Sequence, residues 1–290
     1  MARLLKPFEY FEPKTLEEAE QLLSTYGNEA RVLAGGTDLL ISMKKRQVLP
    51  KYIICIKNIP GLDYIQYSQE AGMLMIGAMA THSAIAASPV VQDKFNLLAT
   101  ACGKVGTPQV RNMGTIGGNI CEGGPSQDTI PALLTLDAKL KVRSADSERV
   151  IPIDQFFTSP FQTTLGRTEL LTEIQIPDLP PESAGCYKWL TKIVTVDETL
   201  VGVAVTMSRD AADGICREIK IGLCSVAPTP MRAREAEEVL RGKKIDSNLI
   251  EEAAQAAAAE TRPRSRASYR RNMARLLVAE AISEVWQKLE

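Results

Sequence analysis

The amino-acid sequence predicts an α+β protein in two parts. The first part mixes short apolar, strand-like runs with helical patterns, and the proline-rich segment PDLPPES at residues 177–183 is the best candidate linker after it. Beyond this linker, strand-like runs come first and helical runs follow. Strands followed by helices, without strict alternation, are typical of the α+β class.

The first part begins with KTLEEAEQLLSTYG, where apolar residues recur at helical spacing before a stop at Gly27. ARVLA then predicts a short buried strand, GGT a turn and DLLISMKKR the start of a helix. Further apolar runs predict the strands KYIICIK, LDYIQY, GMLMIGAMA, KLKVRS, RVIPIDQFF and ELLTEIQIP. Periodic runs predict the helices THSAIAAS, VVQDKFNLLATACGKVG and DTIPALLTLDA.

The second part predicts three strands, CYKWLTKIVT, LVGVAVTMSRD and REIKIGLCSVA, with the turn AADG between the last two. Helices are expected near residues 230–241, 247–261 and 267–289. We find no internal repeat and no low-complexity tract.

Composition and charge exclude several classes of protein. The 290-residue chain has a formal net charge of −1, which gives no overall attraction to nucleic acid or to an anionic membrane. It contains no run of about 18 apolar residues, so no transmembrane helix is expected. The start, MARLLKPFEYFEPKTLEEAE, has acidic residues where a signal peptide needs an apolar stretch, so we expect a cytoplasmic protein.

Cysteine and histidine offer little chemistry. The six cysteines form no C-x-x-C pair and most lie in apolar runs, so we expect buried, reduced thiols and no metal site. His82 is the single histidine, and we interpret it as a helix-start residue that bonds to backbone. No catalytic residue is predicted in this chain. A cofactor is expected to carry any chemistry.

Glycine is concentrated in residues 103–124, which hold seven of the 19 glycines. Such a cluster indicates either tight surface turns or a ligand pressed against bare backbone. A second motif, AGGTD, would place exposed N–H groups of residues 34–38 at a helix start, where anions bind. Neither motif has the spacing of G-x-G-x-x-G or of a Walker A loop. Together, AGGTD and TIGGN predict one diphosphate held from two sides.

Asp128 follows the second motif and has two possible roles. Near a dinucleotide, its carboxylate would repel phosphate and accept hydrogen bonds from ribose or ribityl hydroxyls. Its alternative role is to N-cap the predicted helix TIPALLTLDA. The residues alone leave both roles open.

These motifs resemble a known family. VLAGGTDLL, RNMGTIGGNIC and PSQDTIPALLTLDA are similar to segments of the FAD-binding medium subunit of the molybdenum hydroxylases. That family includes carbon monoxide dehydrogenase, nicotinate dehydrogenase and the flavin domain of xanthine dehydrogenase. CSVAPTPMRAREAEEVLRG and ASYRRNMARLLVAEAI resemble the C-terminal domain of the same flavoproteins, so the resemblance covers nearly the whole chain.

The resemblance implies a vanillyl-alcohol-oxidase-type FAD-binding domain of two α+β subdomains, residues 1–57 and 58–177. It also implies a C-terminal flavoprotein domain, residues 178–290, with a three-stranded antiparallel sheet and helices. Carried over by motif, two segments would embrace the diphosphate of non-covalent FAD and flank the flavin: Leu33, Ala34, Gly35, Gly36, Thr37, Asp38, Thr115, Ile116, Gly117, Gly118 and Asn119. The other implied contacts are Gly106, Leu171 and Lys188, the last two near the ring, and Asp128, which would bind a flavin-chain hydroxyl.

The function implied by the resemblance is electron transfer within a heterotrimeric molybdenum hydroxylase. Substrate would be oxidised at a molybdopterin cofactor on a large partner subunit. Electrons would pass through [2Fe–2S] clusters of a small partner subunit to FAD, and then to NAD, ferredoxin, a quinone or oxygen. Two alternatives stay open: a stand-alone FAD oxidase or reductase, such as the UDP-N-acetylenolpyruvoylglucosamine reductase type, and a non-enzymatic nucleotide-binding module.

An arginine-rich run lies near the C-terminus, at Arg262, Arg264, Arg266, Arg270, Arg271 and Arg275. An RNA-binding patch would need interleaved aromatic residues, and this run contains only Tyr269. We therefore expect a solvated helix face or a subunit contact here. Trp189 is expected in the core or at an interface.

Overall fold

The computed structural model describes residues 4–193 and 198–290. Its first layer is a parallel three-stranded sheet in the order β1-β3-β2, with two helices beside it. These elements are β1 (Glu9–Phe11), α1 (Leu16–Tyr26), β2 (Ala30–Leu33), α2 (Leu39–Lys44) and β3 (Tyr52–Cys55). Thr15 caps α1 by accepting a 3.1 Å hydrogen bond from the Glu18 N–H, and Gly27, with φ of 47°, ends the helix as predicted.

The second layer is an antiparallel five-stranded sheet in the order β4-β5-β10-β6-β7, with a separate two-stranded ribbon. Its strands are β4 (Ile65–Ser68), β5 (Met73–Gly77), β6 (Lys139–Ser144), β7 (Ser147–Pro152), β8 (Phe157–Ser159), β9 (Gln162–Thr163) and β10 (Leu170–Pro177). The connection from β5 to β6 is helical and consists of α3 (His82–Ala87), α4 (Pro89–Lys94), α5 (Asn96–Lys104), α6 (Pro108–Met113), α7 (Ile116–Glu122) and α8 (Thr129–Thr135).

Two parts of this connection differ from the sequence prediction. The single helix predicted over VVQDKFNLLATACGKVG is broken at Phe95, whose φ of −132° and ψ of 42° allow its side chain to be fully buried. The glycine-rich stretch, which had no predicted helix, contains α6 and α7. Each of these short helices begins at a threonine cap, Thr107 or Thr115.

The C-terminal part is an antiparallel sheet with helices, as predicted, but the sheet has four strands instead of three because a two-residue edge strand is added. Its strands are β11 (Ser183–Thr191), β12 (Thr199–Arg209), β13 (Cys216–Cys224) and the two-residue edge strand β14 (Met231–Arg232), and its helices are α9 (Arg234–Leu240), α10 (Ser247–Glu260) and α11 (Ala267–Gln287). The last two residues of the predicted strand CYKWLTKIVT, 194 and 195, lie outside the described residues. The α+β class is confirmed.

Helix α8 joins the second layer to the C-terminal sheet. It packs on β12 and β13, and the contact is close because a Cβ at Gly222 would lie 2.5 Å from the Pro131 carbonyl oxygen. The Thr206 hydroxyl also donates a 3.0 Å hydrogen bond to the Thr135 carbonyl oxygen. This contact fixes the start of α8, and with it Asp128, against the C-terminal sheet. In the part of the chain that the structure describes, no helix is long and apolar enough to cross a bilayer.

Candidate functional site

The two glycine motifs contact each other through their backbones. We call residues 34–38 the first glycine loop and residues 113–119 the second glycine loop. A Cβ at Gly35 would lie 2.0 Å from the Met113 carbonyl oxygen, so only glycine allows this approach. A Cβ at Gly118 would lie 3.8 Å from the Ala34 Cβ. The structure therefore brings the two motifs together, as the sequence predicts.

The first glycine loop presents unused hydrogen-bond donors. Within the described residues, the backbone N–H groups of residues 35–38 donate to no acceptor. Gly36 has φ of 77°, a left-handed conformation that favours glycine and turns the chain from β2 into α2. Because α2 has only six residues, we attribute the anion-binding capacity to these N–H groups and not to a helix dipole.

The second glycine loop uses its donors inside the protein. The N–H groups of four successive residues are bonded: Ile116 to the Ala80 carbonyl at 3.0 Å, Gly117 to the Ala78 carbonyl at 2.9 Å, Gly118 to Thr115 Oγ1 at 3.1 Å and Asn119 to the Thr115 carbonyl at 3.0 Å. This loop can therefore contribute a bare surface at Gly118, while the free donors lie on the other loop. A diphosphate held from both sides stays a prediction.

Asn119 organises the segment between the second glycine loop and α8. Its side chain is 6% exposed, and its Oδ1 accepts a 2.6 Å hydrogen bond from the Thr129 hydroxyl. Its Nδ2 donates to Gln127. These bonds hold Gln127 and Thr129, the two neighbours of Asp128, in place. Asn119 therefore positions Asp128, because its own side-chain amide is already used in these two bonds.

Asp128 is a buried carboxylate that connects the two halves of the molecule. Its Oδ1 accepts hydrogen bonds from the Tyr187 hydroxyl at 2.9 Å and from the Thr199 hydroxyl at 2.6 Å. Its side chain caps no N–H of α8, so the N-capping role considered above is wrong. Burial raises the pKa of Asp128 to about 6, against the opposing effect of the two hydroxyl donors.

The remaining predicted positions lie around this site at different depths. Leu171 is 5% exposed and belongs to the main core. Gly106 is exposed, has φ of 45° and precedes α6, which leads into the second glycine loop. Lys188 Nζ lies 2.8 Å from Glu280 Oε1 and 2.6 Å from Glu284 Oε2 on α11. Because successive strand residues point to opposite faces, Lys188 points away from the face on which Tyr187 reaches Asp128. Its contact with the ring stays a prediction.

His82 lies directly behind the second glycine loop. Helix α3 begins at this residue, as predicted, and its backbone N–H donates a 3.1 Å hydrogen bond to the Gly114 carbonyl, but its buried side-chain Nδ1 has no hydrogen-bond partner among the described residues. Its side chain is 2% exposed. Burial, followed by the charge of Arg111, lowers the pKa of His82 to about 4, so the imidazole is neutral at physiological pH.

The sequence reasoning did not identify Tyr187 or Thr199 as site residues. Both belong to the C-terminal sheet and reach Asp128 across the chain. Tyr187 could have been considered from the alternation of the predicted strand, which places residues 187 and 189 on one face and Lys188 on the other. The two rings do stack, with centroids 6.1 Å apart and planes 9° apart. Trp189 also packs against the main core, as expected.

Comparison with known proteins identifies the family. Residues 6–179 match a family described as the FAD binding domain in molybdopterin dehydrogenase, and residues 190–285 match the CO dehydrogenase flavoprotein C-terminal domain. The chain is 35% identical to the carbon monoxide dehydrogenase medium chain of Hydrogenophaga pseudoflava, over 97% of this chain and 98% of that one. It is 32% identical to the nicotinate dehydrogenase FAD-subunit of Eubacterium barkeri, over 85% of this chain and 84% of the relative.

A solved structure shows the same architecture. Carbon monoxide dehydrogenase from Hydrogenophaga pseudoflava, in a form that lacks the Mo-pyranopterin moiety, matches with a TM-score of 0.93 at 35% identity. The match covers 98% of this chain and 99% of that one, which confirms the fold implied by the resemblance. The free N–H groups of the first glycine loop and the bare surface at Gly118 fit the FAD that this family binds. The chain therefore belongs to the family of FAD-binding flavoproteins of the molybdopterin dehydrogenases.

Proposed function

We propose that this chain is the electron-transferring FAD subunit of a heteromeric molybdenum hydroxylase. The observation that supports it most directly is the contact of the two glycine loops. In the part of the chain that the structure describes, the N–H groups of residues 35–38 donate to no acceptor and lie beside a second loop whose glycines allow close backbone approach. This arrangement suits a diphosphate that is bound and held, since it supplies donors while neither motif carries the lysine of a Walker A loop.

In this proposal each part of the site has one task. The N–H groups of residues 35–38 hold the diphosphate of FAD, and Gly118 lets the cofactor lie against the second glycine loop. Asp128 accepts a hydrogen bond from a hydroxyl of the flavin chain. Tyr187 and Thr199 fix the orientation of its carboxylate from the C-terminal sheet. Leu171 and Gly106 are proposed as further contacts, whereas Lys188 is proposed to act through its ion pairs with α11, since it points to the other face of β11.

The electron path in this proposal runs between subunits. Bound FAD can exchange electrons singly or in pairs, so it can connect one-electron iron–sulfur clusters with a one-electron or a two-electron acceptor. A small [2Fe–2S] subunit would deliver electrons that a large molybdopterin subunit takes from substrate. The acceptor would be NAD, ferredoxin, a quinone or oxygen. Six free cysteines, five of them buried, support the cytoplasmic location.

The extent of the match to a medium chain favours this reading over a stand-alone oxidase. The chain matches a medium chain of a dehydrogenase over 97% of its own length and 98% of that chain, so the likeness extends over both the FAD-binding part and the C-terminal part. A stand-alone oxidase would need its own substrate pocket and proton donor. The neutral His82 is buried behind the second glycine loop and does not supply one.

The test is anaerobic stopped-flow on the isolated chain loaded with FAD. We expect no bleaching of the flavin with aldehydes, purines or N-heterocycles, and bleaching by the correct substrate once the two partner subunits are added. Reduction by an organic substrate at a catalytically useful rate in the isolated chain would replace this proposal with the stand-alone oxidase. Reduction by NADH alone is compatible with it, because NAD is one of the acceptors considered.

A further inference from the structure

The surface between α10 and α11 carries arginines that the protein itself does not use. Of the arginine-rich run, Arg270 donates to the carbonyl oxygens of Leu200 at 3.0 Å and Ser225 at 2.6 Å, and Arg275 pairs with Glu251. The others are exposed and form no ion pair with any residue in the described ranges. We call them, together with Tyr269, the arginine patch: Arg262, Arg264, Arg266, Arg271 and Tyr269.

The arginine patch does not stabilise α11, the helix at whose N-terminal end it lies. Helix α11 has no acidic residue in its first turn and no side-chain cap, and Arg266 adopts φ of 51° at its N-cap. Positive charge at a helix N-terminus opposes the macrodipole and so destabilises the helix. Folding stability therefore does not explain the concentration of cations here.

The composition of the arginine patch is that of an interface. Its cations are all arginine, whereas solvated faces of proteins are rich in lysine mixed with acids. Tyr269 is 47% exposed, and tyrosine and arginine are the residues most enriched in protein contacts. The whole chain has a net charge of −1, so this local excess of positive charge would attract an acidic partner to one side of the molecule.

The arginine patch is also connected to the candidate flavin site. Arg270, within the same turn of α11, holds the Ser225 carbonyl. The Ser225 N–H donates to the Pro125 carbonyl at 2.7 Å, and its hydroxyl donates to the Thr199 carbonyl at 2.6 Å. Thr199 in turn bonds Asp128. Arg270, the chain neighbour of Tyr269 and Arg271, therefore links this end of α11 to the hydrogen bonds around Asp128.

We propose that the arginine patch docks an acidic face of the iron–sulfur subunit that delivers electrons to this chain. The inference rests on the proposed function and adds to it the surface on which the iron–sulfur subunit binds and the charge of that surface. Opposite charges on the two faces speed the encounter and fix its orientation, and the hydrogen bonds of Arg270 link the docking end of α11 to Asp128. Nucleotide phosphates or RNA could also bind these arginines, and the experiments below distinguish such binding from docking of the iron–sulfur subunit.

The first experiment compares two charge reversals in the full-length, FAD-loaded chain. Arg264→Glu with Arg266→Glu alters the patch, and Lys243→Glu with Lys244→Glu makes the same charge change at exposed residues elsewhere in the C-terminal part. Binding to the purified iron–sulfur subunit is measured by calorimetry at low and high salt. We expect about tenfold weaker binding for the arginine variant and less than about twofold for the lysine variant. Equal flavin content and circular dichroism establish that both variants are folded.

Equal binding by the two variants would overturn the docking inference alone. No binding by the unaltered chain would overturn the proposed function and this inference together. A second experiment places the photo-crosslinker p-benzoylphenylalanine at Tyr269, with Tyr10 as an exposed control position. In the assembled complex we expect a crosslink to the iron–sulfur subunit from position 269 only. A crosslink to the large subunit alone would overturn the docking inference. It would also be overturned if the arginine variant assembled normally but bound NADH or an RNA oligonucleotide more weakly.

Discussion

The Tyr187 hydroxyl donates a 2.9 Å hydrogen bond to Asp128 Oδ1, and this bond joins the C-terminal sheet to the start of α8. Thr199 donates to the same oxygen at 2.6 Å. One oxygen of the carboxylate is thus committed to contact between the two parts of the protein. The residue proposed to hold the flavin chain is also the residue on which the C-terminal sheet docks.

Asp128→Asn should stabilise the flavin-free protein at neutral pH. The amide oxygen can accept both existing hydrogen bonds, while the buried charge is removed. Burial raises the pKa of Asp128 from 3.8 to about 6, so the ionised carboxylate costs up to about 3 kcal/mol of the free energy of unfolding above pH 6. Chemical denaturation of both proteins at pH 8 measures the difference. A large loss of stability in the variant would contradict this assignment.

The same substitution should remove a pH dependence of stability. Between the unfolded pKa of 3.8 and the folded pKa of about 6, the unfolded chain has released this proton and the folded chain has kept it. The contribution of Asp128 to stability is therefore greatest at low pH and is lost as pH rises through that window. Denaturation midpoints measured across the window should fall less steeply with rising pH in Asp128→Asn than in the unaltered flavin-free protein.

FAD binding should respond to pH in the opposite direction. A carboxylate accepts the flavin-chain hydroxyl better than a protonated carboxyl does, so affinity should decline as pH falls below about 6. Asp128→Asn should bind FAD about 10- to 100-fold more weakly at pH 8, corresponding to about 1.5–3 kcal/mol for a charge-assisted bond. Titration of flavin fluorescence checks both effects. Unchanged affinity in the variant would make Asp128 purely structural.

Gly36→Ala should lose FAD for a reason other than loss of stability. Gly36 has φ of 77° beside the free N–H groups, and its Cβ would lie 2.9 Å from Leu33 Cδ1, whereas Gly61 has φ of 76° with nothing near its Cβ position. Alanine in this conformation costs about 1–2 kcal/mol at either position, so Gly61→Ala is a matched control for the backbone strain. We expect destabilisation in both variants, the greater in Gly36→Ala because the Leu33 side chain must shift, and reduced flavin content only in Gly36→Ala. Reduced flavin in both would mean that strain alone releases the cofactor.

Local patterns were sufficient for most elements and for the glycine motifs, but not for the contacts between them. Helix α7 was not predicted because its two glycines lower helix propensity, and α6 was not predicted because its six residues are too few to show a helical period. The protein compensates with the caps of Thr107 and Thr115. Strand β1 has three residues, too few for a period, and is defined by pairing with β3. Tyr187 and Thr199 could not be assigned to Asp128 because no local pattern encodes a bond between distant segments.

Lys188 and Tyr187 provide the last test, because adjacent residues of β11 point to opposite faces. Lys188→Met keeps the aliphatic stem and removes the ammonium that lies between Glu280 and Glu284. These ion pairs are partly exposed, so the loss of stability should stay below about 1 kcal/mol, with FAD affinity unchanged within about twofold. Tyr187→Phe keeps the ring and removes the hydroxyl.

In Tyr187→Phe, Asp128 keeps only the Thr199 donor on its buried Oδ1, and the carboxylate is less firmly oriented. Losing one hydrogen bond to a charged acceptor costs about 1.5–3 kcal/mol, divided between folding and flavin binding. We therefore expect weaker FAD binding and lower stability in this variant, both measurable in one set of titrations and denaturation curves. The reverse pattern, with FAD affinity lost in Lys188→Met and kept in Tyr187→Phe, would establish the ring contact of Lys188 and place the flavin on the other face of β11.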